Sequence, residues 1–299
     1  MARELARRGI AGAFIPLPYH ISRTPKGKRS GENAIVPDPA ELVKTMTQSI
    51  SDIRRAYDVI SQRPEIDATR LGITGTSLGA VVASLASGID TRIQHGAYVV
   101  GGADLAHILW HSSRVVLQRD QFRKLGYTES KLRELLMPIE PLEYLQNRTP
   151  VSAYVVGAKF DTVIPPSDTQ KLIEALGNPH VVQLETGHYG GFFIQKRVQA
   201  SVADYFSKSF AGQTFQAPAQ ITAPTFRLGV VLSPEDELQI GVGVDLIRPR
   251  DSNGIFGALI ATPEDFSFYF GKPIDGRLSV GMFFRSEGVT FGLMWSVVL

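Results

Sequence analysis

Three side chains have the types and the spacing for nucleophilic catalysis: Ser77, Asp161 and His188. A serine hydroxyl is a poor nucleophile at neutral pH, so it needs a base, and the base needs an acid to orient it. Ser77 lies in Gly72-Ile73-Thr74-Gly75-Thr76-Ser77-Leu78-Gly79-Ala80. This stretch reads as a short buried strand, a sharp Gly75-x-Ser77-x-Gly79 turn and a small-residue helix. That pattern holds a serine at a strained strand-to-helix elbow with its hydroxyl clear of the sheet. Gly75 and Gly79 are both expected to permit close backbone approach. The helix start would aim free N–H groups, that of Leu78 first, at the place where an oxyanion forms.

Asp161 follows the apolar run Val151–Gly157, and His188 follows the run His180–Leu184. Serine, then acid, then histidine, each just past a strand, with gaps of roughly eighty and then under thirty residues, suits a serine held in such an elbow. Asp168 and Glu185 are alternative acids. Tyr19, His20, Thr76 and Tyr189 are candidate pocket residues, although His20 also reads as a hydrogen-bonded loop histidine. His107 and His111 stand four apart on a predicted helix. With Ile108 beside them and no third ligand in view, they do not read as a metal site. The expected chemistry therefore uses no metal and no organic cofactor.

The elements that must position these residues alternate. A helix end over Ala2–Arg8 is followed by the apolar run Ile10–Pro16, expected as a doubly buried strand. A polar loop leads to a helix over Pro39–Gln62, opened by Asp38 as N-cap with Pro39 at its first position. After the elbow come a strand in His95–Gly102, a broken helical lid over about 104–145, and two further strand–helix units. Strands separated by helices predict a parallel sheet. Beyond a Gln/Ala/Pro/Thr linker at 212–224 the helical pattern ends. Rows such as Leu238, Ile240, Val242, Val244 and Leu246 alternate with Gln, Gly and Asp, and Ser252-Asn253-Gly254 and Asp275-Gly276 read as turns. The expected organisation is a mostly parallel α/β domain over 1–211, with helices on both faces, and an antiparallel β domain over 225–299 with one apolar face.

The segments Gly-Thr-Ser77-Leu-Gly, Gly157-Ala-Lys-Phe-Asp161-Thr-Val-Ile-Pro and Gly187-His188-Tyr-Gly-Gly resemble the α/β-hydrolase superfamily, nearest its dienelactone-hydrolase-like and uncharacterised esterase branch. Pro16-Leu-Pro-Tyr-His20 resembles the loop after the fourth strand there. The resemblance covers residues 1–210. It implies acyl transfer from a carboxylic ester through an acyl-enzyme, with Ser77 as nucleophile, His188 as base, Asp161 as orienting acid and Leu78 N–H as an oxyanion donor. A catalytically impaired hydrolase fold acting as a binding or assembly module is the contrasting expectation; a serine peptidase or thioesterase is a neighbouring one. The superfamily's third strand, whose following loop gives a second oxyanion donor, has no counterpart before Ala2. The chain reads as starting inside a domain. A late start, direct pairing of the flanking strands, or a C-terminal strand filling the slot would each account for that.

Composition narrows the partners. A net charge of +2, with 43% hydrophobic and 20% charged residues, carries no basic stripe for nucleic acid. Zero cysteines exclude disulfides and thiolate chemistry. Met1–Gly9 lacks the apolar core of a signal peptide, so the compartment stays open. A small ester is the expected ligand. The C-terminal sheet is expected to self-associate or, as the second option, to contact a membrane, since its stripes resemble outer-membrane strands but number at most six against the usual eight. Its long final strand is a pairing hazard unless covered.

Overall fold

The computed structural model describes residues 1–148, 152–221, 223–232, 238–248, 254–275 and 277–299. Val151, Thr222, Ser252, Asn253 and Gly276, which figure in the expected strand, linker and turns, lie outside the described residues. The chain forms two compact units. The first comprises Met1–Ala158, Thr162–Gln183 and Gln195–Ile221; the second comprises Lys159–Asp161, Leu184–Ile194 and Thr222–Leu299. Two short loops, Lys159–Asp161 and Leu184–Ile194, cluster with the C-terminal strands in the second unit.

In chain order, the first elements are α1 (Ala2–Ala6), α2 (Pro39–Ile60), β1 (Gly72–Thr76), α3 (Leu78–Ile89) and β2 (His95–Val99). Four short helices follow: α4 (Leu105–His111), α5 (Val116–Lys124), α6 (Glu129–Leu136) and α7 (Pro141–Leu145). Then come β3 (Ser152–Ala158), α8 (Pro166–Ala175), β4 (His180–Leu184) and α9 (Gln195–Phe210). The sheet order is β1-β2-β3-β4, with β1/β2 and β2/β3 parallel. Successive β3 side chains explain why both faces carry helices. Ala153 and Val155 join Ala80, Ala83, Leu172 and Leu176 in one core. Tyr154 points the other way, its ring 5.7 Å from that of Tyr205 on α9. Asp38 caps α2 by accepting the N–H groups of Ala40 and Glu41, and Leu42, Met46, Ile50, Ile53 and Tyr57 bury one stripe of that helix against α3 and α6. Among the described residues no helix is long and apolar enough to cross a membrane.

The expected strand over Ile10–Pro16 does not form. These residues have no regular structure, and Phe14 is 72% exposed. A strand exists only through its ladder, and among the described residues the sheet ends at β1. The half-exposed burial of β1 follows from the same fact. Neither direct pairing of the flanking strands nor a C-terminal strand fills the place beside it, since all six later strands are used elsewhere.

Those strands are β5 (Phe226–Leu232), β6 (Gln239–Ile247), β7 (Phe256–Ala261), β8 (Phe266–Pro273), β9 (Leu278–Arg285) and β10 (Gly288–Val298). They are antiparallel and close into a barrel in the order β10-β5-β6-β7-β8-β9. Closure pairs β10 with both β5 and β9, so the expected pairing hazard of the last strand is removed. The expected antiparallel sheet with one apolar face forms, and it turns that face outward. Leu228, Leu232, Ile240, Val242, Phe268, Phe291 and Trp295 are exposed, whereas Gly229, Gly241, Asp245, Ser267, Ser279 and Ser296 are buried. The apolar stripes face outward.

The interior suits that inversion. Tyr269, Phe283, Phe256 and Met294 fill it, and glycines make room for them; a Cβ on Gly271 would lie 2.3 Å from the Tyr269 hydroxyl. The Arg227 guanidinium donates to both Asp245 oxygens at 2.7 and 3.1 Å and to Ser296 Oγ at 3.2 Å. It also lies 4.5 Å from the Phe256 ring centroid, so a buried charge pair is satisfied on most sides.

Candidate active site

Ser77 is the N-cap of α3, with φ +55° and ψ −122°. A non-glycine residue held there costs about 1–3 kcal/mol and persists only when its surroundings over-determine it. They do: its N–H donates to the Val99 carbonyl at 2.9 Å, and its own carbonyl accepts from Ala80 and Val81 at 2.8 and 3.1 Å. Gly75 is indispensable, because a Cβ would sit 2.0 Å from the Gly79 carbonyl oxygen. Gly79 itself is not so confined; a Cβ there meets nothing within 4 Å. The expected need for glycine at 79 is therefore corrected, because the close approach is made by the Gly79 backbone onto residue 75. Leu78 opens the helix, so its N–H is one of the donors the helix leaves without an intrahelical acceptor. Thr76, beside it, is exposed.

In the second unit, His188 Nδ1 donates to Asp161 Oδ2 at 2.7 Å. The side chains are 8% and 1% exposed respectively, which shields the bond from competing water. Backbone bonds knit their two loops together, Lys159 N–H to the Leu184 carbonyl at 2.9 Å and Phe160 N–H to the Thr186 carbonyl at 3.1 Å. Thr225 Oγ1 donates to the Glu185 carbonyl at 2.6 Å, Thr186 Oγ1 donates to the Pro224 carbonyl at 3.0 Å, and the Arg248 guanidinium binds the carbonyls of Glu185 and Ala223. Gly190 is required, since a Cβ would fall 1.7 Å from Thr186 Oγ1. Tyr189 lies edge-on to the His188 ring, with centroids 5.4 Å apart.

The structure thus brings Asp161 and His188 together, and Ser77 belongs to the first unit. Of the alternative acids, Asp168 is engaged elsewhere. Asp168 is fully buried and accepts from His107 Nδ1 at 2.8 Å and from Lys171 at 3.4 Å; burial raises its carboxyl above the usual range against those two partners. Of the remaining candidates, Tyr19 has φ +65°, and His20 donates from Nδ1 to the Pro18 carbonyl at 2.9 Å. His20 is therefore tied into its own loop. His111 pairs with Glu129 at 3.1 Å, and among the described residues no group of three or more His, Cys, Asp or Glu side chains could hold a metal ion.

Sequence reasoning missed the His107–Asp168 pair, because 61 residues separate its members and only a tertiary contact reveals it. It is part of a clamp on the helical segment. Asp104, left-handed at φ +73°, accepts from Arg133, from Lys171 at 2.6 Å and from the His107 N–H at 3.2 Å. Glu140 accepts the N–H groups of Asp104 and Leu105 at 2.9 and 2.7 Å. Burial alone would raise the Asp104 carboxyl, but Lys171 and Arg133 outweigh it and hold it below its usual value. Its stabilisation is therefore complete above the ordinary carboxylate pKa near 4 and is lost as pH falls through the lower, folded value. Asp104→Asn is expected to cost about 1–3 kcal/mol at pH 7, the half-exposed partners moderating a buried-pair loss. Urea unfolding should show this deficit shrinking once the pH drops below about 4.

A serine elbow after a parallel strand, with further parallel strands and helices on both faces, defines an α/β-hydrolase. The chain belongs to the prolyl oligopeptidase family, whose model matches residues 43–212, more than half of its length. Two uncharacterized proteins of Mycobacterium tuberculosis strains are 25% identical over 199 residues, covering 64% of this chain and 46% of theirs. The chain therefore spans about half the length of these curated relatives. Among solved structures, 2,6-dihydroxy-pseudo-oxynicotine hydrolase is similar with a TM-score of 0.54 and 16% identity, over 73% of this chain and 58% of that one. An acetyl xylan esterase from a Paenibacillus species matches with a TM-score of 0.45 and 21% identity, over 64% and 63%.

Proposed function

We propose that the protein is a serine hydrolase of carboxylic esters, working through Ser77, His188 and Asp161. The observation that carries this reading is the 2.7 Å bond from His188 Nδ1 to a buried Asp161 oxygen. With the Nδ1 proton committed to the carboxylate, the basic lone pair of the neutral ring is on Nε2. In the proposed cycle Nε2 takes the Ser77 proton as Oγ attacks the ester carbonyl, and Asp161 stabilises the imidazolium that results. The Leu78 N–H faces the oxyanion at the start of α3. The protonated histidine then returns its proton to the departing alkoxide, and water clears the acyl-enzyme by the same route.

Ester cleavage is the less demanding reaction for such a centre. An alcohol leaves more readily than an amine, so it tolerates weaker stabilisation. The family match supports a second reading, in which the scissile bond is a peptide.

The test is labelling with a fluorophosphonate probe read by intact mass, together with turnover of p-nitrophenyl acetate and a peptidyl p-nitroanilide. A single adduct, lost in Ser77→Ala along with about 10⁴-fold or more of the ester turnover, is expected. Folded protein that takes no label and turns over neither substrate would refute catalysis. Faster cleavage of the anilide would move the assignment to the peptide reading.

A further inference from the structure

The barrel wears its apolar side chains on the outside, all the way round. On β5 they are Leu228 and Leu232, on β6 Ile240 and Val242, on β8 Phe266 and Phe268, and on β10 Phe291 and Trp295, each more than a third exposed. β9 adds Val280 and Phe284, and β7 turns Leu259 outward between its buried neighbours. Among the described residues, the outward rows of the six strands carry a single charge, Lys272, at the end of β8. Asp245 is buried with Ser267, Ser279 and Ser296, and its partner Arg227 turns to the same side of the strands. This is the polarity of a barrel whose solvent is hydrocarbon, and the reverse of one whose solvent is water.

We propose that the outer face of this barrel is a lipid-contacting surface, immersed in the hydrocarbon of a membrane. The alternative occupant, a second copy of the chain, does not fit the extent of the band. Six strands about 4.8 Å apart, with side chains adding roughly 5 Å of radius, give an outer circumference of about 60–70 Å. A two-fold contact covers one sector of such a cylinder and leaves the rest in water, well beyond the few hundred Å² of apolar patch that a soluble surface carries. Lipid covers every sector at once.

The height of the band sets the depth. From the six residues of β7 to the eleven of β10, at about 3.3 Å per residue and a tilt near 40°, the wall stands about 15–28 Å tall. That immerses the whole circumference in one leaflet and approaches the full ~25 Å apolar band of a spanning barrel only beside β10. The packed interior fits a seat in lipid and not a pore. Within the same unit, Phe226 at the start of β5 stacks on Phe193 with centroids 4.6 Å apart. Phe193 and Phe192 are 64% and 75% exposed. The apolar surface therefore runs on to the loop that carries His188.

The test uses the full chain and its own fluorophore. In a Trp110→Phe background Trp295 is the remaining tryptophan. The chain is floated with phosphatidylcholine vesicles whose acyl chains carry bromine, a neutral surface that excludes simple charge attraction. Co-flotation with quenching of Trp295 is expected. Phe268→Lys with Phe291→Lys, both on the outward rows, should lower partitioning at least tenfold with an unchanged circular dichroism spectrum. Protein that stays out of the vesicles would overturn the proposal, as would flotation without quenching. A dimer in light scattering that the two lysines disperse, with no vesicle binding, would assign the band to a second copy.

Discussion

Asp161→Asn is expected to lower kcat for ester hydrolysis by about 10⁴-fold while leaving the fold in place. The carboxylate and the amide have the same shape, so packing around a side chain that is 1% exposed changes little. What changes is the proton on the ring. An aspartate oxygen only accepts, so it fixes His188 with hydrogen on Nδ1 and a basic Nε2. An asparagine can turn its NH₂ toward Nδ1 and stabilise the opposite tautomer, which has no lone pair to offer the serine. Loss of the negative charge also removes stabilisation of the imidazolium in the transition state. Steady-state kinetics with a thermal melt on the same sample separates the two effects. A tenth or more of wild-type kcat in a folded variant would remove Asp161 from the proposed machinery and reopen the search for the orienting acid.

Arg227→Ala should be the most damaging single change in the barrel, with an expected loss of about 3–5 kcal/mol. The guanidinium is the main partner of the buried Asp245 carboxylate, and burial already pushes that carboxyl up against the pull of Arg227. Without the arginine, folding must bury an uncompensated charge or bind a proton. The sign follows. A carboxyl whose folded pKa is raised contributes stability below its unfolded value and loses it as pH rises through the folded one. The deficit of Arg227→Ala, read by urea denaturation, should therefore be smaller near pH 4–5 than at pH 7.5. Arg227→Met combined with Asp245→Leu, which removes both charges, should recover most of the loss. An equal deficit in single and double variants would mean that the site matters for its shape and not its charge.

The parallel α/β architecture of the first portion was legible in its alternation of apolar runs and helical stripes. Ser77, Asp161 and His188 stand out because each follows an apolar run and a turn, which are local signals. The backbone ladder that sets the histidine loop against the aspartate loop joins Phe160 to Thr186, a relation that no spacing exposes. Ile10–Pro16 has the composition of a buried strand, yet composition cannot supply the neighbouring ladder it needs. The C-terminal half shows what periodicity leaves open. Its period of two was plain, and so were its two faces, but periodicity does not say which face is inside. Assigning the apolar face to a core is the ordinary choice in water; closure of six strands onto Arg227, Asp245 and a set of glycines reverses it. Arg248, which grips two carbonyls beside the histidine loop, gave no signal at all, since a lone arginine near a turn is usually solvated.

The membership of the aspartate and histidine loops in the barrel's unit bears on how the protein is made. Elements from α1 to α9 leave the ribosome first and can pack as they emerge. The supports of the histidine loop come later, from Thr225 and Arg248, and the barrel that carries them closes only when β10 pairs with β5, Val298 opposite Arg227. At about 5–20 residues per second, some 4–15 s of synthesis separate β5 from the end of β10. For that interval the loop that carries His188 lacks its finished support. On the proposed reading the serine is therefore made first, and the frame of its base is finished last.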